Sequence, residues 1–412
     1  MSFGLLSLIF LAALAGPLLA LSPRWRFPIV PGELLAGILL GPMGADRLHA
    51  DNPTFAFLAE IGFALVMFVA GSHVPIRDPN LRRALPTGAL RAAAVAVVSV
   101  PVGLGVARAF GTGHTALYAV LMASSSAALI LPIIDTLKLS GLGILQLLPQ
   151  VALADAVCIV ALPLAIDPAH AGRAALGAVV VLACAATVYL LLRQVEQRGW
   201  RKRLHVVSER RKFALELRIN LVLLFALAAV AQASHVSIML AGFSYGVAVA
   251  AVGEPRRLAR QLFAITEGFF GPIFFVWLGS SLDLRALADD PSLIALGILL
   301  GAGAVVTHLT GRLLGQPVVM GVLTAAQLGV PVAAATLGTQ AHLLQAGEPA
   351  ALVLGALVTI AAASLAGSAA ARAQAAGGAE TADTAPAPER PDGPPAARHI
   401  GPDSLPPGTD HA

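Results

Sequence analysis

Apolar runs of about 20 residues, separated by short groups of charged residues, Gly or Pro, follow one another along most of the chain. A run of this length, folded as a helix, spans the hydrocarbon core of a bilayer. The pattern predicts an all-α polytopic membrane protein with about 13 spanning helices, near 3–22, 27–43, 54–73, 87–110, 114–134, 146–166, 172–192, 213–232, 235–252, 258–281, 291–314, 316–340 and 349–370. The first run lacks the basic start of a signal peptide, so we interpret it as the first span.

Basic residues are concentrated in alternate loops. Cytoplasmic loops carry an excess of Lys and Arg, so the basic side is predicted to face the cytoplasm of an inner-membrane protein. This places the N-terminus outside and the C-terminus inside. The basic loops contain Arg24, Arg26, Arg77, Arg82, Arg83, Lys138, the run 193–212, Arg256, Arg257 and Arg260. We interpret the run 193–212 as a solvated loop that joins two halves, with contact to anionic lipid as the alternative.

Composition agrees with a membrane domain, since 57% of the residues are hydrophobic, 12% are charged and the mean hydropathy is +0.80. The net charge of +4 is explained by the loops, so no nucleic-acid partner is expected. Cys158 and Cys184 lie in apolar runs, where packing is the preferred interpretation, and no metal site or cofactor is indicated. Residues 1–370 are predicted to form the membrane domain, and 371–412 a disordered cytoplasmic tail without apolar periodicity.

Charged residues inside a membrane are costly, and each is therefore a candidate for function. Asp155 is the most deeply placed, about ten residues into its span. The alternative role for Asp155 is a hydrogen-bonded aspartate that holds two helices together. Glu33 and Glu60 lie nearer the starts of their helices, where helix-end or packing roles compete with gating.

Polar residues and proline also interrupt two spans. Three consecutive hydroxyls, Ser124 to Ser126, precede Pro132 in one of them, and Gln327, Gly329 and Pro331 occupy the middle of the other. Paired interruptions in two halves of a chain are typical of transporter sites, because unwound carbonyls and half-helix ends can face a bound ion. Close helix packing is the alternative role for these small residues.

The chemistry of exchange needs few groups. A poorly solvated carboxylate near neutral pH can hold a proton or a cation, but not both. Asp155 would then exchange the two ligands while facing the two sides in turn, and Ser125 and Ser126 are the expected neighbours that supply oxygen ligands.

Four segments resemble the membrane domain of bacterial monovalent cation/proton antiporters, the Kef-like second cation/proton antiporter family. The resemblance extends from about Leu5 to Gly367, and the segments are PGELLAGILLGP (31–42), AEIGFALVMFVAG (59–71), ASSSAALILPII (123–134) and EGFFGPIFFVWLGSSLDL (267–284). The resemblance implies inverted repeats, a core domain with two crossing broken helices, a dimerisation domain, a homodimer and elevator-like alternating access.

This chain departs from the family pattern at the site. Ala154 stands where relatives carry a second acid or an Asn beside the acid at Asp155, and Gly303 aligns where relatives carry a base. The two losses are consistent with each other, because a buried base without its carboxylate would be an unpaired charge. His308 or Arg312 remains the alternative positive partner.

We therefore expect electroneutral exchange of Na⁺ or K⁺ for H⁺ at Asp155. The alternatives are a passive ion channel or leak, and a membrane sensor that does not transport. An enzyme is not expected, because no nucleophile arrangement, metal-ligand cluster or phosphate-binding loop occurs in the sequence.

Overall fold

The computed structural model describes residues 2–20, 29–72, 77, 79–199, 214–234, 236–253, 256–282 and 284–383. The regular elements in these ranges are helices. They are α1 (Phe3–Ala13), α2 (Ala15–Ala20), α3 (Ile29–Leu40), α4 (Pro53–Ser72), α5 (Pro79–Phe110), α6 (Thr115–Ala123), α7 (Ala127–Leu137), α8 (Leu142–Ile166), α9 (Ala171–Gln197), α10 (Leu215–Ala233), α11 (Ile238–Val252), α12 (Arg256–Ile265), α13 (Gly271–Ser281), α14 (Leu284–Asp289), α15 (Pro291–His308), α16 (Val318–Thr324), α17 (Gly329–Gln340) and α18 (Glu348–Asp383). Short 3₁₀ segments occur at Pro168–His170 and Leu309–Leu314, and a π-helical turn at Thr266–Phe270 joins α12 to α13.

The predicted all-helical membrane architecture is confirmed. Among the described residues, nine helices are long and apolar enough to cross a membrane, and shorter apolar helices occupy Phe3–Leu18 and Ile238–Val252. The count of about 13 spans stays a prediction. Arg24, Arg26 and most of the basic run 193–212 lie outside the described residues.

The last helix extends past the predicted start of the tail. Its helical residues continue to Asp383, whereas the sequence predicted disorder from residue 371. This stretch is rich in Ala, which has the highest intrinsic helix propensity, so local preference favours continuation of the helix. Residues 384–412 lie outside the described residues, and their disorder stays a prediction.

Glycines allow two pairs of helices to approach closely. A Cβ atom on Gly246 of α11 would overlap the carbonyl oxygen of Phe68 on α4, and one on Gly37 of α3 would overlap that of Val276 on α13. Small residues at such crossings let helix backbones touch, which is how helices associate in lipid without a hydrophobic driving force between them. The α4/α11 and α3/α13 pairs are therefore close-packed units.

Among the spans that the structure describes, the second interrupted helix is the most enclosed. In the span Val318–Thr339, 72% of the most apolar stretch is buried. The corresponding share is 22% in Pro168–Gln197 and in Leu215–Ala233. Peripheral helices present apolar side chains outward, as lipid contact requires. The interruption of α16 and α17 therefore lies inside the protein, where unpaired backbone groups can find partners.

A buried carboxylate fixes the start of the last helix. Glu348, which is 1% exposed, accepts hydrogen bonds from Nδ1 of His114 at 2.7 Å and from the hydroxyl of Tyr118 at 2.8 Å. The backbone N–H of Gln345 donates to its other oxygen at 3.1 Å. These contacts join α18 to the loop before α6 and to α6 itself, a role for Glu348 that the sequence alone does not reveal.

This contact makes the stability of the fold depend on pH. The hydrogen bond to Glu348 raises the pKa of His114 above its usual value. Because the folded pKa is the higher one, the stabilisation is fully present below the unfolded pKa of about 6.5 and is lost as pH rises through the folded pKa. An Asn at position 114 can keep a donor near the place of Nδ1 but cannot be charged.

We expect wild type to exceed His114→Asn in free energy of unfolding by about 1–2 kcal/mol near pH 6, with the difference vanishing by about pH 9. Thermal unfolding in detergent at a series of pH values measures this difference. His342→Asn, at an exposed position, is the matched control and should not change the pH profile. A difference that is constant or grows with pH would contradict the assignment.

Candidate functional site

Two helix interruptions form the centre of the candidate site. The first separates α6 from α7 at Ser124–Ser126, and the second separates α16 from α17 at 325–328. Pro132, which the sequence suggested as part of the break, lies instead within α7. The hydroxyl of Ser124 bonds the carbonyl of Leu121 at 2.8 Å, and such local hydroxyl-to-backbone bonds compete with a continuous helix.

Of the residues predicted at the second interruption, Gln327 lies within the break itself. Gly329 and Pro331 are the first and third residues of α17. A proline in the first turn of a helix is tolerated, because its missing N–H would have no partner within that helix.

The two interruptions bond directly to each other. The backbone N–H of Ser126 donates to the carbonyl of Ala326 at 2.8 Å. The hydroxyl of Ser125 donates to the carbonyl of Thr324 at 2.6 Å, and that of Ser124 lies 3.1 Å from Oε1 of Gln327. Backbone groups released by each break are thereby paired across the contact, as burial requires.

Asp155 faces the start of the half-helix α7. Its carboxylate is buried, with 3% of the residue exposed, and Oδ2 accepts a hydrogen bond from the backbone N–H of Ala127 at 3.1 Å. Ala127 is the first residue of α7, and helix N-termini favour negative charge because their N–H groups are unpaired and the helix dipole is positive there. The break therefore creates the donor that Asp155 uses.

A cavity of about 30 Å³ opens beside Asp155 and Ser126. These two supply the only polar side chains among the described residues that line it. Its other walls come from α4, α8, α13 and the second interruption, including Phe63, Met67, Phe274 and Leu328. A water needs about 10–15 Å³ measured in this way, so the cavity has room for water or a small cation.

The structure brings together some of the predicted residues and separates others. Ser124, Ser125 and Gln327 belong to the contact between the interruptions but do not line the cavity. Glu33 is buried on α3 and Glu60 is half-buried on α4, and neither lines it.

The two candidate positive partners also differ in position. Arg312 is exposed on the 3₁₀ segment after α15. His308 is 1% exposed and places Nε2 at 3.3 Å from Oγ of Ser125.

Ala154 and Gly303, where the family resemblance implies an acid or an Asn and a base, are closely packed. Ala154 is buried next to Asp155 on α8. A Cβ atom on Gly303 would lie 2.8 Å from the terminal methyl of Met122, so Met122 fills the space in front of this glycine. A long basic side chain at residue 303 would have to displace Met122.

Three threonines that the sequence analysis did not single out also support the interruptions. Thr359 accepts a hydrogen bond from the backbone N–H of Gln327 at 3.3 Å, and Thr307 donates to the carbonyl of Met122 at 3.1 Å. Thr324 supplies the carbonyl that Ser125 bonds. A hydroxyl within an apolar run was the available signal, but threonine also bonds its own helix, so sequence alone could not rank these residues.

Comparison with known proteins gives consistent relationships. The model of the family described as sodium/hydrogen exchanger, transmembrane, matches residues 9–371. The putative Na(+)/H(+) antiporter YjbQ of Bacillus subtilis (strain 168) is 22% identical over 86% of this chain, and the alignment covers 60% of that protein. The probable Na(+)/H(+) antiporter 3 of Methanocaldococcus jannaschii is 25% identical over 75% of this chain and 78% of its own length. The Na(+)/H(+) antiporter NhaS5 of Synechocystis sp. is 27% identical over 69% of this chain but only 40% of its own length.

The fold is shared with a solved structure. The sodium proton antiporter MjNhaP1 from Methanocaldococcus jannaschii superposes with a TM-score of 0.62 at 16% identity, covering 90% of this chain and 97% of that one. At this identity the likeness establishes the fold alone. The family match confirms the predicted relationship to cation/proton antiporters, while the Kef-like subfamily stays a prediction. The chain therefore belongs to the sodium/hydrogen exchanger transmembrane family.

Proposed function

We propose that this protein is a secondary transporter that exchanges a monovalent cation for H⁺, with both ligands competing at Asp155. The observation that carries the proposal is the buried carboxylate of Asp155, which lines a 30 Å³ cavity at the start of α7. Family membership and the names of the relatives, which refer to sodium, make Na⁺ the first candidate. K⁺ is the second candidate and is separated from Na⁺ by the test below.

Cation binding would use the two polar side chains of the cavity. The carboxylate of Asp155 and the hydroxyl of Ser126 present oxygen atoms to it, and hard cations prefer oxygen ligands. Ser124 and Ser125 would support these ligands indirectly, by holding the two interruptions together. Water molecules in the cavity would complete the coordination shell.

Obligatory exchange follows from the energy of an empty site. Burying an unpaired carboxylate costs several kcal/mol, whereas a helix N-terminus returns at most about 2 kcal/mol. The N–H of Ala127 therefore does not balance the charge of Asp155 by itself. The site moves between the two sides only with a bound cation or a bound proton, so a cation moving one way requires a proton to move the other.

The exchange is electroneutral in this proposal. Asp155 is the one ionisable side chain among the described residues that line the cavity, and Ala154 and Gly303 stand where the family resemblance implies a second acid or an Asn and a base. One cation then replaces one proton, and the loaded site carries no net charge in either direction.

The membrane setting is also part of the proposal. The basic loops favour an inner-membrane protein with its N-terminus outside and its C-terminus in the cytoplasm. A homodimer is the expected assembly, as the family resemblance implies.

In proteoliposomes that contain a pH-sensitive dye, we expect Na⁺ to evoke H⁺ movement in wild type and a loss of at least ~10-fold in Asp155→Asn, because the charged ligand is removed. K⁺ and Li⁺ applied in the same way identify the cation. Asp289→Asn provides the matched control, because this aspartate is exposed at the end of α14.

Other outcomes of the experiment support the rival functions. Cation flux without H⁺ movement would indicate a passive leak. Folded protein that responds to no cation would point to a sensor and remove the basis for exchange.

Electroneutrality has its own measurement. Because each loaded form is neutral, an imposed membrane potential should change the initial exchange rate by less than about twofold, whereas moving one charge across 100 mV would change the driving free energy by about 2.3 kcal/mol. The rate is recorded in proteoliposomes with K⁺ and valinomycin setting the potential. A transport current, or a rate that follows the potential, would contradict one-for-one exchange.

A further inference from the structure

Among the described residues that line the cavity beside Asp155, one has no side chain. Gly329, the first residue of α17, lines the cavity from the second interruption, and Met67 lines it from α4. A Cβ atom on Gly329 would lie 3.3 Å from Cε of Met67 and 3.6 Å from its Sδ. Gly329 and the end of the Met67 side chain are therefore neighbours in the cavity wall.

The backbone does not require a glycine at residue 329. Gly329 does not have a positive φ, and it is the first helical residue of α17, a conformation that every L-residue except proline adopts without strain. A methyl group at this position would instead press on the end of Met67. Glycine therefore provides space here, not conformational freedom.

The aromatic part of the wall is less adjustable than Met67. Phe63 and Phe274 both line the cavity, and their rings stack with centroids 4.9 Å apart. Met67 ends in an unbranched thioether with three rotatable bonds, which adapts readily to the space around it. A small change of volume at Met67 or Gly329 therefore alters the room in the cavity without disturbing the stacked rings.

The cavity volume limits the number of oxygen ligands around an ion. About 30 Å³ is room for about two water-sized occupants, since each needs about 10–15 Å³ measured in this way. In the proposed exchange these are the cation and one water, and Asp155 and Ser126 supply the other oxygens. A larger cation needs more space and more ligands, which is how cavity size and ligand number separate Mg²⁺ from Ca²⁺. K⁺, the larger of the two candidate ions, is therefore disfavoured.

We propose that Gly329 and Met67 set the upper size limit of the transported cation, so that the cavity accepts Li⁺ and Na⁺ more readily than K⁺. This inference rests on the proposed exchange at Asp155 and adds residues that determine its specificity. Neither residue supplies a side-chain ligand, because Gly329 has no side chain and the thioether of Met67 is a soft ligand that suits other metals. Both act through volume.

The test compares kcat/KM for H⁺ exchange driven by K⁺ and by Na⁺ in proteoliposomes. Met67→Ala enlarges the cavity and should raise the K⁺-to-Na⁺ ratio of kcat/KM by at least ~3-fold, whereas Gly329→Ala adds a methyl group and should lower it by at least ~3-fold. The Na⁺-to-Li⁺ ratio should shift in the same directions. Impaired folding or membrane insertion lowers the rates for all cations alike and cancels in these ratios.

Matched variants separate size from other effects. Gly105→Ala adds a methyl group that has no atom within 4 Å, and Met320→Ala shortens a methionine that does not line the cavity, so both should leave the ratio unchanged. Met67→Leu keeps most of the side-chain volume without the sulfur, and its ratio should stay within about twofold of wild type. A change in Met67→Leu as large as that in Met67→Ala would overturn the inference.

A double variant tests whether the two residues act on the same space. With the Met67 side chain shortened, a methyl group at residue 329 no longer meets its end. The double variant Met67→Ala, Gly329→Ala should therefore have a ratio within about twofold of that of Met67→Ala alone. A full additional effect of Gly329→Ala in this background would contradict a shared size limit.

Several results would overturn the inference while the proposed function stands. These are a wild type with a higher kcat/KM for K⁺ than for Na⁺, and ratios that are unchanged or shift in the opposite directions in variants that still exchange. If Gly329→Ala does not fold, the comparison of Met67→Ala with Met67→Leu decides. Wild type in which no cation drives H⁺ movement would instead overturn the proposed function, and this inference with it.

Discussion

The contact between the two interrupted helices is the interaction on which the rest of the site depends. The N–H of Ser126 on one break bonds the carbonyl of Ala326 on the other at 2.8 Å, in the interior of the protein. Lipid offers no hydrogen-bond partners, so backbone released from a helix at this depth must be paired by protein or by water in a cavity. Each interruption therefore needs the other. The N–H of Ala127 that remains available at the start of α7 bonds Asp155.

In the proposed exchange, this arrangement would let one carboxylate serve as the centre of the site. The helix start holds Asp155 in position, but its stabilisation of about 2 kcal/mol or less does not replace a cation or a proton. The small cavity with mostly apolar walls limits the water that could otherwise solvate the charge. The close glycine crossings α4/α11 and α3/α13 support two helices that contribute apolar side chains to the cavity, including Phe63 and Phe274.

The sequence predicted the helical membrane fold and both interruptions, because apolar length and helix-breaking residues are local properties. It also singled out Asp155, since a charge within an apolar run is visible without a structure. It could not establish which serine lines the cavity, because that depends on backbone direction in a segment that is no longer helical. Because proline removes a backbone donor, the sequence predicted that Pro132 contributes to the break at Ser124–Ser126. Pro132 lies instead inside α7. The role of Glu348 could not be predicted, because its partners His114 and Tyr118 are more than 200 residues away in the chain.

The most direct test of the account is proton release when Na⁺ binds to purified wild-type protein in weakly buffered detergent solution near neutral pH. Competition at Asp155 predicts that Na⁺ binding releases about one H⁺ for each ion bound at saturation, and that Asp155→Asn neither binds Na⁺ nor releases H⁺. Saturable Na⁺ binding to wild type without any proton release would contradict competition between the two ligands, and with it the account of exchange.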